Sequence, residues 1–186
     1  VIDRPQDNQD RPAWYAHGDG KEQVFVEKVA PWAGISGVRL HPKKVAGDPT
    51  YIDLLWHESE CDLKWRAEPF FLAGERYGVD PQRCLTFNVK DWHRYEEHYP
   101  NWRGLWVVLD WRERWSREVN YCLYEVRRMV GVYWVYRETL TDVIERGALP
   151  IHCYKDRKHD AHNARDSYLV DLSRYGLAQR EEFPWV

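Results

Sequence analysis

The chain has few cysteines and no pattern among them. Cys61, Cys84, Cys122 and Cys153 are scattered, with no Cys-x-x-Cys pair. Such spacing argues against a disulfide framework and against a multi-cysteine zinc site, and it fits free thiols in a reducing compartment. No apolar run approaches the ~20 residues of a membrane span. No secretory signal is visible, so a cytoplasmic protein is expected. A Gly-rich phosphate cradle, a Ser-centred nucleophile elbow and a dinucleotide fingerprint are all missing, which disfavours kinases, hydrolases of that type and Rossmann enzymes. There is no internal repeat and no low-complexity stretch. Excess positive charge is lacking too. The net charge of -3 gives no global electrostatic footprint for nucleic acid, although a local basic face can coexist with an acidic metal site.

Large aromatic rings are abundant instead. The 186 residues include 11 Trp and 12 Tyr, at a mean hydropathy of -0.74. Much of the apolar area is therefore amphipathic. Most of these rings are expected to build the core, where each buries a large area. Some would stack on nucleobases or fill a protein interface. The length fits one domain, with room for an appendage. Residues 1–19, rich in Asp, Gln, Asn, Arg and Pro, read as an extended N-terminal arm.

The most informative stretch runs from Tyr51 to Arg66. It reads as two short strands, Tyr51 to Trp56 and Glu60 to Arg66, joined by a turn at His57, Glu58 and Ser59. Strand side chains switch faces at every residue, so Glu60, Asp62 and Lys64 share one face and Cys61, Leu63 and Trp65 the other. Asp53 lies in the first run. Carboxylates beside one ammonium form a site that can hold Mg²⁺ or Mn²⁺ and an attacking water. Lys64 would position that water or steady charge developing at phosphorus. Acid-x-Lys triplets occur three times, at Asp19-Gly-Lys21, Asp62-Leu-Lys64 and Asp156-Arg-Lys158. Only the second lies in an alternating strand with another acid upstream. The same residues also read as a solvated strand face with a cross-strand ion pair, worth at most ~1 kcal/mol.

Around this hairpin the periodicity predicts a regular series of elements. Lys21 to Ala30 has helical spacing, with Phe25, Val26 and Val29 on one face and Glu22 on the same side. Gly37 to Val45 reads as a strand, followed by a turn at Gly47-Asp-Pro. Pro69 to Tyr77 reads as a helix ending at Gly78. Arg83 to Val89 reads as a strand with Lys90 at its end. Asp91 is a candidate N-cap for a helix from Trp92 to Tyr99. Leu105 to Trp111 is an apolar run of the buried-strand type.

This order, with Asp53 ending one strand and Asp62-Leu63-Lys64 on the next, resembles the core of the PD-(D/E)XK nuclease superfamily over about residues 20 to 111. Ile52 stands where that family commonly has Pro before the first Asp. The resemblance implies an α/β (α+β) fold: a central mixed β-sheet flanked by helices, a restriction-endonuclease-like core with C-terminal additions from 112 to 186. It also implies a metal-dependent nuclease acting on DNA, with RNA not excluded. Asp53 and Asp62 would ligate Mg²⁺ or Mn²⁺, Lys64 would be catalytic, and Glu22 would join from the first helix. Glu60, a further acid on the same strand face, is a third candidate metal ligand. A homodimer would suit symmetric cutting of duplex DNA. The alternative is a non-catalytic nuclease-like or aromatic-rich protein serving as a nucleic-acid-binding or assembly module.

In the second half, Trp115 to Val130 is predicted helical. Gly131 to Tyr136 and Ala148 to Tyr154 read as strands, with a helix from Glu138 to Arg146 between them. Arg112, Arg114 and Arg117, with Lys90 and the pair Arg127 and Arg128, are candidates for tracking phosphates. They read equally as a solvated helix face partnered by Glu113, Glu118 and Glu125. His152, Cys153, His159 and His162 are zinc-capable in type, but their spacing is not that of a finger. They read as part of a polar loop whose Lys155, Arg157, Lys158 and Arg165 would touch phosphate.

Overall fold

The computed structural model describes residues 20–48, 51–154 and 166–182. The arm expected over 1–19, His159, His162 and the basic residues expected at 155–165 lie outside them. The protein is mixed α/β. The chain divides into two compact units, and the division falls between Leu63 and Lys64, inside a strand.

In the first unit, helix α1 has α-helical residues at 20–24, a π-helical turn over Phe25–Val29 and a last α-turn over Ala30–Trp32. Glu22, Phe25, Val29 and Ala30 are its buried residues, whereas Val26, expected on the same face, is only partly buried. Strands β1 (Val38–Leu40), β2 (Leu54–Trp56) and β3 (Ser59–Arg66) pair antiparallel in that order. The strand expected over Gly37 to Val45 ends early, at Leu40. A helical turn, α2 (Pro42–Val45), replaces its second half. Proline has the fixed φ and the missing N–H that suit the first helical position. His41 caps the turn, its Nδ1 accepting from the Lys43 backbone N–H at 3.2 Å. The β2–β3 connection is a two-residue turn with both His57 (φ 46) and Glu58 (φ 64) left-handed, the conformation that matches strand twist in tight hairpins.

The second unit begins with helix α3 (Leu72–Tyr77), which stops at left-handed Gly78 (φ 67) as a helix C-terminus favours. A 3₁₀ turn, Pro81–Arg83, leads into β4 (Cys84–Asn88) and helix α4 (Val89–His98). Strand β5 (Trp102–Trp111) pairs antiparallel with β8 (Met129–Tyr136), and β8 with β11 (Leu177–Glu182). Strand β10 (Asp166–Asp171) lies between β4 and β9 (Ile151–Cys153), antiparallel to both. Helix α5 (Arg137–Glu145) follows β8, and the short α6 (Leu172–Tyr175) follows β10. Trp102, Trp106, Trp111, Trp134, Tyr95 and Tyr133 are essentially inaccessible. Trp106 and Trp134 pack at 4.8 Å between centroids, and Trp102 lies against both Trp92 and Tyr95. The core of this unit is thus built on large rings.

The helix expected from Trp115 to Val130 does not form. This segment is a two-stranded ribbon, β6 (Trp115–Val119) and β7 (Cys122–Val126), running on into β8. Trp115, Arg117 and Val119 alternate with Ser116 and Glu118, a period of two rather than 3.6. The turn between the strands, Asn120 (φ 50) and Tyr121 (φ 64), is left-handed at both positions but has no glycine to announce it. Val126, at the far end of the ribbon, is fully buried, whereas Tyr121 at the tip is 99% exposed.

Candidate functional site

The site grows from the register of the β2–β3 hairpin. Leu54 stands opposite Cys61, Leu55 opposite Glu60 and Trp56 opposite Ser59. Continuing that register by one step sets Asp53 across from Asp62. Opposed strand residues share a face, and like charges placed so are destabilising unless offset. Both acids are buried, Asp53 at 8% and Asp62 at 3% exposure. The Asp53 backbone carbonyl accepts from His41 N at 2.9 Å. Its carboxylate Oδ2 accepts from the backbone N–H of Leu63 at 3.0 Å. Asp53 is therefore latched to the centre of the Asp62-Leu63-Lys64 triplet.

The other Asp53 oxygen meets a cation. The Lys44 ammonium donates to Asp53 Oδ1 and, at 2.5 Å, to Glu22 Oε1. Glu22 of α1 and Asp53 ahead of β2 thus converge on one positive charge. All three side chains are close to nine-tenths buried. Burial opposes the Lys44 charge, but Asp53 and Glu22 outweigh it and hold the ammonium above the ordinary lysine range. The structure brings Glu22 and Asp53 together around Lys44, a residue the sequence reading does not single out. Lys44 lay in a segment read as strand, where its side chain had no assigned partner. The available signal was His41-Pro42, a capped proline at a helix start.

Glu60 is engaged differently. Its Oε1 accepts from the Tyr51 hydroxyl at 3.2 Å and lies 3.6 Å from His41 Nε2. Tyr51 in turn accepts from Lys43 Nζ at 3.1 Å, and its ring packs on His41. Because His41 Nδ1 accepts from the Lys43 N–H, the ring proton belongs on Nε2, toward Glu60. Burial holds the His41 imidazole below its ordinary pKa, despite the pull of Glu60.

At the start of the second unit, Lys64 is positioned by α4. Its Nζ donates to Asp91 Oδ2 at 3.0 Å and to the Tyr95 hydroxyl at 3.3 Å. Asp91 was expected to cap the helix from outside. The helix instead begins at Val89, with Asn88 at the N-cap, and Asp91 sits buried in the first turn. Burial would raise its carboxyl, but Lys64 and Arg94 outweigh burial and hold it below the ordinary carboxylate range.

The basic candidates do not form one stripe. Lys90 is exposed on the first turn of α4. Arg112 binds the buried Asp110, Nε to Oδ1 at 2.7 Å. Arg114 binds Glu125 at 2.6 Å. Arg117 is opposite Tyr124, on the other ribbon face from Glu125. His152 packs among Phe70, Tyr77 and Tyr154, and its Nδ1 lies 3.1 Å from the Tyr77 hydroxyl.

Among the described residues, no three His, Cys, Asp or Glu side chains gather as a metal-holding group. Mg²⁺ asks for less than that, since it keeps several waters and is commonly held by one or two carboxylates together with substrate phosphates. Glu22 and Asp53 supply oxygen donors of the kind Mg²⁺ takes, and both hold the Lys44 ammonium here. No described helix is long and apolar enough to cross a membrane. Comparison with family models, with curated proteins and with solved structures returned no match.

Proposed function

We propose that the protein is a metal-dependent nuclease that hydrolyses phosphodiester bonds in DNA, on a restriction-endonuclease-like core. The observation that carries this reading is the double engagement of Asp53. One of its oxygens shares a cation with Glu22, and the other is latched to Leu63 within the acid-x-Lys triplet. Asp53 and Asp62 would hold Mg²⁺ or Mn²⁺, with Glu22 completing the carboxylate set. When bound, the metal would supply positive charge at the phosphoryl oxygens and acidify a water. Lys64 would orient that water, and the partners Asp91 and Tyr95 hold its ammonium in place. Glu60, tied to Tyr51 and His41, would act at a remove by fixing the Lys43–Lys44 turn.

Lys44 supports a second reading. Its ammonium neutralises part of the acid pair from within, as suits a non-catalytic nuclease-like module that binds DNA or a protein partner. Cleavage of supercoiled and linear plasmid in Mg²⁺, Mn²⁺ or EDTA, beside Asp62→Ala and Lys64→Ala, separates the two. The nuclease reading expects metal-dependent cutting that both substitutions abolish while circular dichroism stays unchanged. No cutting in any metal, or cutting that survives both substitutions, would leave the binding module.

A further inference from the structure

Three arginines of the second unit gather where the ribbon meets β8. A surface cavity of about 390 Å³ is lined by Arg114, Arg127, Arg128, Glu125 and Gln82. It carries three guanidinium groups against one carboxylate, an excess of two positive charges in a protein whose net charge is -3. The single carboxylate, Glu125, is already bound by Arg114. Arg127 and Arg128 form the whole connection between β7 and β8, and both are exposed.

That connection is anchored from below by Gln82, which is itself only 7% exposed. Gln82 Oε1 accepts from the Arg127 backbone N–H at 2.7 Å, and its Nε2 donates to the Arg127 carbonyl at 3.3 Å. The backbone of Gln82 is fixed in turn: its carbonyl accepts from Trp111 Nε1 at 3.0 Å and its N–H donates to Asp80 at 2.9 Å. A buried amide thus saturates both backbone groups of the residue that presents the first of two adjacent arginines. Rigid presentation lowers the entropy lost when a guanidinium fork engages a tetrahedral oxyanion, which it can meet with two parallel hydrogen bonds.

We infer that this cavity is a phosphate-binding site, and that its ligand is a backbone phosphate of DNA. The inference rests on the proposed nuclease reading for the source of the phosphate, and on the three arginines for the chemistry. Gln82 is a positioning residue; Arg114, Arg127 and Arg128 contact the ligand. Arg117, on the opposite ribbon face, is outside the site.

The test is binding of a 20-base-pair DNA duplex in EDTA, where cleavage cannot intervene, followed by fluorescence anisotropy across a range of salt. Wild type is compared with the double variant Arg127→Ala/Arg128→Ala, its Lys/Lys counterpart and Arg117→Ala. Loss of the contacts to that one phosphate should weaken binding by about tenfold and flatten the plot of log affinity against log salt by about 0.9. The Lys/Lys variant should restore most of the slope but not the full affinity, because it keeps charge without the fork. Arg117→Ala should match wild type. Duplex affinity and slope unchanged in the Ala/Ala variant would overturn the inference, and so would a wild type that binds no duplex. Inorganic phosphate, titrated separately, distinguishes the source: phosphate binding lost in Ala/Ala without any duplex affinity would overturn the assignment to DNA. Arginine-dependent duplex binding with no plasmid cleavage would sustain this site while removing the nuclease reading.

Discussion

Replacing Lys44 with methionine keeps an unbranched side chain one atom shorter and removes its charge. The Lys44, Glu22 and Asp53 side chains are only 13%, 11% and 12% exposed. The substitution leaves two carboxylates buried and facing the place the ammonium held. Removing one partner of a buried pair costs about 3–5 kcal/mol, since the remaining charge is uncompensated. The lower end is expected here, because Asp53 keeps its bond from Leu63 N–H. For a chain of this size each kcal/mol moves the melting point by roughly 2–4 °C, so Lys44→Met in EDTA should melt about 6–12 °C below wild type. A divalent cation would then fill the gap. At one hundred times its dissociation constant, a ligand specific to the folded state returns about 2.7 kcal/mol. Thermal melts and urea titrations of both proteins, in EDTA and over a Mn²⁺ series, measure these terms. Mn²⁺ should raise the melting point of Lys44→Met several times more than that of wild type, and adding Glu22→Gln should relieve part of the loss without metal. A variant as stable as wild type in EDTA would refute the buried triad. A destabilised variant that Mn²⁺ does not rescue would refute the claim that these carboxylates suit a divalent cation.

Two further outcomes can be checked on the same instrument. Glu181 accepts from Arg83 Nε and Nη2 at 2.8 and 2.7 Å and from the Tyr133 hydroxyl. Arg83, helped by Tyr133 and opposed by burial, holds its carboxyl at about 2. A depressed carboxyl stabilises fully above its unfolded value of 4.5 and loses that contribution as pH falls toward 2. Urea unfolding of wild type between pH 5 and pH 2 should therefore decline more steeply than that of Glu181→Gln, and parallel profiles would exclude the linkage. Gly104 lies in β5, where a Cβ would stand 2.2 Å from the Val135 carbonyl oxygen of the paired strand. Gly104→Ala should cost about 1–3 kcal/mol as an overpacked core site, and a denaturation midpoint within error of wild type would show that the strands can part there.

The sequence resolved local structure where one period dominated. The β2–β3 hairpin was legible within a few residues because polar turn residues interrupt two alternating runs. Glu22 was legible because it lies one helical turn from Phe25. The ribbon from Trp115 to Val126 was not. Its charges fall at spacings that also suit a helix face, and its left-handed turn uses Asn120 and Tyr121 in place of glycine. Strand pairing decided between the two periods, and pairing is a tertiary fact that propensity alone cannot supply. The same limit hid the partners of Lys44 and Lys64. Lys44 meets Glu22 across 22 residues and Lys64 meets Asp91 across 27. No spacing rule within one element reaches that far. Asp91 is legible as a polar residue at a helix start, but the sequence does not show that its carboxylate meets Lys64 and Arg94.

The two-residue turn at His57 and Glu58 acts as a ruler for the acids behind it. In a hairpin, the number of residues in the turn fixes which positions face each other all the way down the ladder. Continued past Leu54 and Cys61, the register brings Asp53 opposite Asp62 because only two residues separate the closing pair, Trp56 and Ser59. One residue inserted at the tip, some five positions from either acid, would slide β3 past β2 and turn Asp62 to the far side of the sheet, leaving both carboxylates in the chain and neither in register. Length at this exposed tip is thus under tighter constraint than the identity of the residues that occupy it.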